Sequence, residues 1–98
     1  MPAVLEKDVE AYLVARMQDM GGLAIKFISP GRRNVPDRIV IFPSGKIVFV
    51  ELKATGKTPN DAQIREHARL RRLNCAVYGC IDSKSAVDRM IEDIAPLL

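Results

Sequence analysis

The chain has 98 residues, 48% of them apolar and 28% charged, with a net charge of +3. That length suits one domain over 1–98, and the composition is globular, which excludes a disordered or low-complexity chain. No apolar run approaches the roughly 20 residues of a membrane helix, and residues 1–7 are too acidic and broken for a signal peptide, so a cytoplasmic protein is expected, including a phage protein in its host's cytoplasm.

A first helix is predicted over about 3–20, from Leu5, Val9, Tyr12, Leu13, Met17 and Met20 at helical spacing. Gly21-Gly22 stops it. Leu23–Ile28 reads as a strand, and Ser29–Asn34 as a loop by composition. Arg38–Phe42 and Ile47–Lys53 form a second and third strand around the turn Pro43-Ser44-Gly45. Thr58 as N-cap and Pro59 as first helical residue open a second helix to about Leu73. Ala76–Ile81 is a fourth strand, and Asp82-Ser83 caps a last helix through about Ile94. The order is αβββαβα. The second helix is a crossover that makes the third and fourth strands parallel. The strands are nearly continuous apolar runs, which suits a mixed four-stranded sheet flanked on both faces by helices. Cys75 and Cys80, about 16 Å apart along one strand, are too distant to bridge and read as buried free thiols.

Charge is unevenly spread. Residues 24–75 carry eleven Lys/Arg against four Asp/Glu, whereas both flanks are acidic. A basic middle suits a polyanion, although a solvated basic surface has the same composition.

Glu51 and Lys53 interrupt the end of an otherwise apolar strand, and Asp37 begins its neighbour. Charges in such places call for a partner or a metal. A three-residue loop over 43–45 pairs Phe42 with Lys46 and therefore Asp37 with Glu51, Cβ atoms about 5 Å apart. A four-residue loop puts Asp37 opposite Leu52 instead. Lys53 shares the face of Glu51. Two carboxylates this close repel unless one takes a proton or a hard cation lies between them. Mg²⁺ favours one or two carboxylates plus water and phosphate, and Lys53 then offsets charge or handles the attacking water. The alternative is an ordinary salt bridge from Lys53 to Asp37 or Glu51 at a sheet edge.

Pro36-Asp37, thirteen residues, then Glu51-Leu52-Lys53 matches the PD-(D/E)XK nuclease pattern, and the element order is that superfamily's restriction-endonuclease-like core. Further, the stretch Pro30-Gly31-Arg32-Arg33-Asn34-Val35-Pro36-Asp37-Arg38, then Phe49–Ala54, then Thr58-Pro59 and Gln63, resembles the virus-type replication-repair nuclease (VRR-NUC) domain over roughly residues 5 to 82. The resemblance implies Mg²⁺- or Mn²⁺-dependent cleavage of DNA, often branched. It implies metal binding by Asp37, Glu51 and the Leu52 carbonyl, catalysis by Lys53, a supporting Gln63 and a glutamate on the first helix. Helical phase favours Glu6 over Glu10 for that glutamate, although both also suit a first turn next to the helix dipole. Asn74 stands where such a domain is expected to carry glycine, and Asn tolerates the left-handed conformation.

Arg32, Arg33 and Arg38 flank the Pro36-Asp37 motif and Lys57 follows the Glu51 strand, so these four are the candidate phosphate contacts. Arg65, Arg69 and Arg72 lie across the second helix from Gln63 and read as a solvated face. His67, one turn beyond Gln63, reads as a polar neighbour of the site. A chain this short has little beyond the core to read base edges, which favours an endonuclease selective for structures such as four-way (Holliday) junctions. The alternatives are a flap-processing or non-specific nuclease, a catalytically idle DNA-binding module of the same fold, and a structural subunit for an acidic protein. A homodimer without membrane or small-molecule cofactor is expected, with the N-terminal helix and its neighbouring loop as the candidate interface, because a small core leaves apolar surface and a junction needs two symmetric cuts.

Overall fold

A computed structural model of the protein describes residues 4–95. The elements are α1 (Glu6–Asp19), β1 (Leu23–Lys26), β2 (Arg38–Ile41), β3 (Ile47–Leu52), α2 (Asp61–Arg72), β4 (Ala76–Ile81) and α3 (Lys84–Ile94). The sheet runs β1-β2-β3-β4, with the first two pairings antiparallel and β3–β4 parallel. The αβββαβα order and the mixed four-stranded sheet are therefore as expected. No helix among the described residues is long and apolar enough to cross a membrane.

α1 buries Val9, Leu13 and Met17, one stripe at i, i+4 and i+8. Gly21, at φ 83°, turns the chain out of the helix. Gly22 then passes so close to β2 that a Cβ would lie 2.5 Å from the Ile41 carbonyl oxygen. The second helix begins later than expected. Its N-cap is Asn60, not Thr58: the Asn60 side chain accepts from the Gln63 amide, and the Gln63 side chain accepts from the Asn60 amide. This reciprocal box satisfies two backbone donors at once, whereas Thr58 makes no such bond. Asn74 takes a left-handed φ of 66° after α2, in the conformation expected of it. Ser83 caps α3.

Strand alternation gives the sheet two different faces. Val40, Phe42, Val48, Val50 and Leu52 pack on one, together with Ile81, beneath α1 and α3, whose Val87, Met90, Ile91 and Ile94 complete the core. The other face carries α2 over its β3–β4 half only. Leu23 pairs with Ile41 and Ile25 with Ile39, and these pair in turn with Ile47 and Phe49. No helix covers this half, and Leu23, Ile25 and Ile47 stand exposed. Helices thus lie on both faces, as expected, but unequally: α1 and α3 cover one face, and α2 half of the other. The cysteines are free but not buried, since Cys75 is half-buried and Cys80 exposed. β4 presents Cys80 beside the Lys57 carbonyl rather than to the core.

Candidate active site

The hairpin turns in three residues. The Phe42 amide donates to the Lys46 carbonyl at 2.9 Å and the Gly45 amide to the Phe42 carbonyl at 2.8 Å. Arg38 pairs with Val50, so one step outward Asp37 stands opposite Glu51. Asp37 is fixed there because its Oδ2 accepts from the Leu52 amide at 2.8 Å. Lys53 Nζ lies 3.7 Å from Glu51 Oε2. The structure thus brings Asp37, Glu51 and Lys53 together at one strand end.

α2 supplies the lid of this corner. Gln63 Oε1 accepts from Lys53 Nζ at 3.1 Å, and its Nε2 faces Glu51 Oε2 at 3.4 Å. The residue that caps the helix thereby also orders the lysine and the carboxylate. One turn on, His67 is buried with Nε2 at 3.4 Å from Glu51 Oε1. It enters only because β4 carries a glycine: a Cβ on Gly79 would lie 2.9 Å from His67 Nδ1. The β3–β4 ladder is irregular at this level, Val50 pairing with Tyr78 but Leu52 with Ile81. The extra β4 residue keeps Tyr78 and Ile81 on the core side while β4 bends around the histidine.

Burial, and after it Asp37, push the Glu51 carboxyl up to about 8; Glu6 adds to the rise and Lys53 opposes it. His67 is pushed down, first by burial and then by Arg71 and Lys53, and stays neutral. The pair Asp37–Glu51 therefore does not carry two charges at neutral pH unless a cation joins it. Two hard carboxylate oxygens plus the carbonyl of Leu52 between Glu51 and Lys53 suit a hard divalent cation that keeps water ligands. Among the described residues no set of three or more His, Cys, Asp or Glu is arranged around a metal, which is unlike a closed zinc site. Glu6 is exposed at the start of α1, close enough to act on Glu51 but not a third ligand in this arrangement. Glu10 is engaged elsewhere, 3.1 Å from Arg38 Nη2.

Arg38 is the site expectation that the structure corrects. It follows Asp37 directly, so alternation sends it to the opposite sheet face. There it is buried, with Nη1 donating to the Ala24 carbonyl and Nη2 paired with Glu10. It does not face a phosphate at the Asp37 site. Lys57 and Arg33 are exposed. Arg32 is exposed but bound to the buried Glu66 of α2. The face carrying Arg65, Arg69 and Arg72 is not simply solvated either, because the loop that carries Arg32 closes against it. The lone acid Glu66 among those arginines was the available signal for that docking.

No family model matches the chain. Over 73 residues it is 54% identical to "Putative nuclease p44" of Acyrthosiphon pisum secondary endosymbiont phage 1, which covers 74% of this chain and 78% of that protein. A solved structure of a VRR_NUC domain superposes with a TM-score of 0.82 at 38% identity, covering 92% of this chain and 97% of its own. Likeness in sequence over 74% of the chain and in structure over 92% of it shows that this chain belongs to the VRR-NUC nuclease family.

Proposed function

We propose that the protein is a deoxyribonuclease that hydrolyses phosphodiester bonds endonucleolytically with Mg²⁺, Mn²⁺ substituting, and that it selects branched DNA such as four-way junctions. The observation that carries this reading is the Asp37–Glu51 pair, Glu51 buried and Asp37 half-buried, with Lys53 beside it and Gln63 bonded to Lys53 and Glu51. Asp37, Glu51 and the Leu52 carbonyl are the proposed metal ligands. Held by these residues, a divalent cation would supply positive charge at the phosphate and make water more acidic there. Lys53, tethered by Gln63, holds a positive charge where negative charge develops on the phosphate, and orients the attacking water. His67 packs against the back of Glu51 and fixes its carboxylate. Arg33 and Lys57 are proposed to contact neighbouring phosphates.

The bare strand face supports a homodimer and changes the expected interface. α1 is spent on the core, whereas Leu23, Ile25 and Ile47 with Ile39, Ile41 and Phe49 form a continuous apolar surface. Two copies meeting there would cover it and supply the two active sites that a symmetric junction requires. The phage relative suits action in the cytoplasm of a bacterial host.

The test is digestion of duplex, flap, splayed-arm and four-way-junction DNA with Mg²⁺, Mn²⁺, Ca²⁺ or chelator, beside light scattering at micromolar protein. Paired cuts in the junction with Mg²⁺ or Mn²⁺ and a dimeric mass are expected. Preferential flap cleavage would overturn the junction assignment, activity in excess chelator the metal, and a monomeric mass the dimer.

A further inference from the structure

A second basic feature lies outside the catalytic corner. The loop between β1 and β2 closes against the outer side of α2 and leaves a cleft of about 340 Å³, bordered by Arg32, Arg33, Arg65, Arg69 and Arg72, with Glu66 the single acid. Five guanidinium groups around one carboxylate leave a surplus of four positive charges in one concavity. We propose that this cleft is a phosphodiester-backbone anchor, separate from the catalytic centre, that grips a DNA segment flanking the cleaved bond; the identity of the polyanion rests on the nuclease reading above.

The arrangement is built rather than accidental. Glu66 is buried and accepts from Arg69 Nε at 2.8 Å and Nη2 at 3.1 Å, and from Arg32 Nε. Arg69 first, and Arg32 next, hold its carboxyl down at about 2, so it remains an anion at any working pH. The carboxylate takes only Nε of Arg32. The two terminal amino groups of that guanidinium make no hydrogen bond among the described residues and keep their donors available. Arg33, Arg65 and Arg72 make no hydrogen bond or ion pair among the described residues, and all three are exposed. Such unengaged, like-charged side chains repel each other; the negative charges of closely spaced phosphates offset that repulsion, and their displaced counterions add a favourable entropy.

Dimensions fit the same ligand. Arg65, Arg69 and Arg72 follow one helical face at i, i+4 and i+7. At 1.5 Å per residue they span roughly 10 Å, about three phosphates of a duplex strand at 3.4 Å of axis each. Arg32 and Asp37 are five residues apart in one loop, so the cleft lies within about 18 Å of the catalytic carboxylates. The loop that begins the cleft thus ends in the metal-ligand position. DNA held by its backbone at one end of that loop presents a neighbouring phosphodiester at the other.

The experiment compares wild type with Arg65→Ala/Arg72→Ala and with Lys84→Ala/Arg89→Ala, a control that removes the same charge from α3 on the opposite sheet face. Neither pair touches Glu66 or the catalytic corner, and thermal melting checks the fold. Affinity for a fluorescent duplex is measured in chelator over 50 to 200 mM salt, and single-turnover Mg²⁺ cleavage at saturating DNA is measured in parallel. The Arg65/Arg72 variant should bind about tenfold more weakly, with a log–log salt slope shallower by about two, and should cleave at the wild-type rate once saturated. Unchanged affinity and slope, or an equal loss in the α3 control, would overturn the anchor. A wild-type protein that binds duplex through Arg65 and Arg72 but cleaves nothing with Mg²⁺ or Mn²⁺ would leave the anchor standing and sink the nuclease reading instead.

Discussion

The two faces of the sheet differ in what they bury. Beneath α1 and α3 lie Val9, Leu13, Met17, Val48, Val50 and Met90, apolar groups that need nothing but each other. That face also buries one charge, Arg38, at its β2 end; on the α2 face Leu70 is joined by three buried polar groups, Glu51, Glu66 and His67, each of which needs a partner. Apolar burial is non-directional and tolerates exchange of equal volumes, so the first face determines that the chain folds. Buried charge is costly unless its geometry is met, so the second face stores free energy in particular arrangements. In this small protein one face carries the apolar core, while the candidate catalytic groups lie on the other, together with the phosphate contacts and the self-association proposed above.

The sharpest way to break that division is to substitute on the second face without touching the first. Asp37→Asn, Glu51→Gln and Lys53→Ala should each lower Mg²⁺-dependent cleavage by at least about 100-fold, the scale of losing one preorganised charge-stabilising group. Circular dichroism should stay that of wild type. Full activity in either carboxylate variant would remove the metal assignment. The converse substitution is Leu13→Ala, fully buried on the first face. It should cost about 2–5 kcal/mol in denaturant unfolding while the folded fraction keeps its cleavage rate. A Leu13→Ala protein that is stable but inactive would show the faces to be coupled.

Metal dependence sharpens the comparison through pH. With no cation the folded protein holds a proton on Glu51 up to about 8, whereas the unfolded chain releases it near 4.5. The folded state therefore binds the extra proton between those values, and this group makes the metal-free protein less stable as pH rises from about 4.5 to about 8. A divalent cation must displace the same proton, so its affinity increases over that window and levels off above it. The rise in melting temperature on adding Mg²⁺ should accordingly be larger at pH 8.5 than at pH 6. An increment that does not change with pH would mean Glu51 is not titrated by the metal.

Gly79→Ala probes the corner from behind. The added methyl meets His67 Nδ1 at 2.9 Å and Arg71 Nη2 at 3.3 Å. Displacing the histidine should cost about 1–3 kcal/mol of stability and loosen its contact with Glu51. His67→Ala in the same background should recover part of the stability but not the activity. Recovery of both would reduce His67 to a space-filling role.

Much of this was legible in the sequence, and the reasons are local. The apolar stripe of α1, the Pro43–Gly45 turn and the alternation along β3 are short-range patterns, and the turn length alone put Asp37 opposite Glu51. Arg38 was misplaced although the same alternation, applied one residue further, sends it to the core face beside Val50. The α2 cap was misplaced because Thr58-Pro59 is a good local signal, and the reciprocal bonding of Asn60 and Gln63 outweighs it. The arginine cleft and the bare strands were not legible. Both depend on where a loop and a helix settle on the sheet: a lone Glu66 among arginines signals that a partner docks there without naming Arg32, and the half-coverage by α2 is written in no local pattern.

The smallest expected effect separates the two glutamates of α1, one reaching toward each face. Glu10 pairs with Arg38 at 3.1 Å, and Arg38 is buried with its Nε lacking a partner among the described residues. Glu10→Gln removes the countercharge but leaves Arg38 bound to the Ala24 carbonyl. Because Glu10 itself is 36% exposed, water screens much of the pair, and the loss should be at most about 1 kcal/mol, with cleavage unchanged. Glu6 is exposed and its side chain makes no hydrogen bond or ion pair among the described residues; it acts on Glu51 through space, raising the affinity of that carboxyl for a proton. Glu6→Gln should therefore leave the melting temperature alone. It should change the Mg²⁺ concentration at half-maximal cleavage by a few-fold, which a metal titration of both variants reads directly. An equal effect of the two on that titration would show that α1 contributes to the corner only as packing, and Glu6 would lose its electrostatic role beside Glu51.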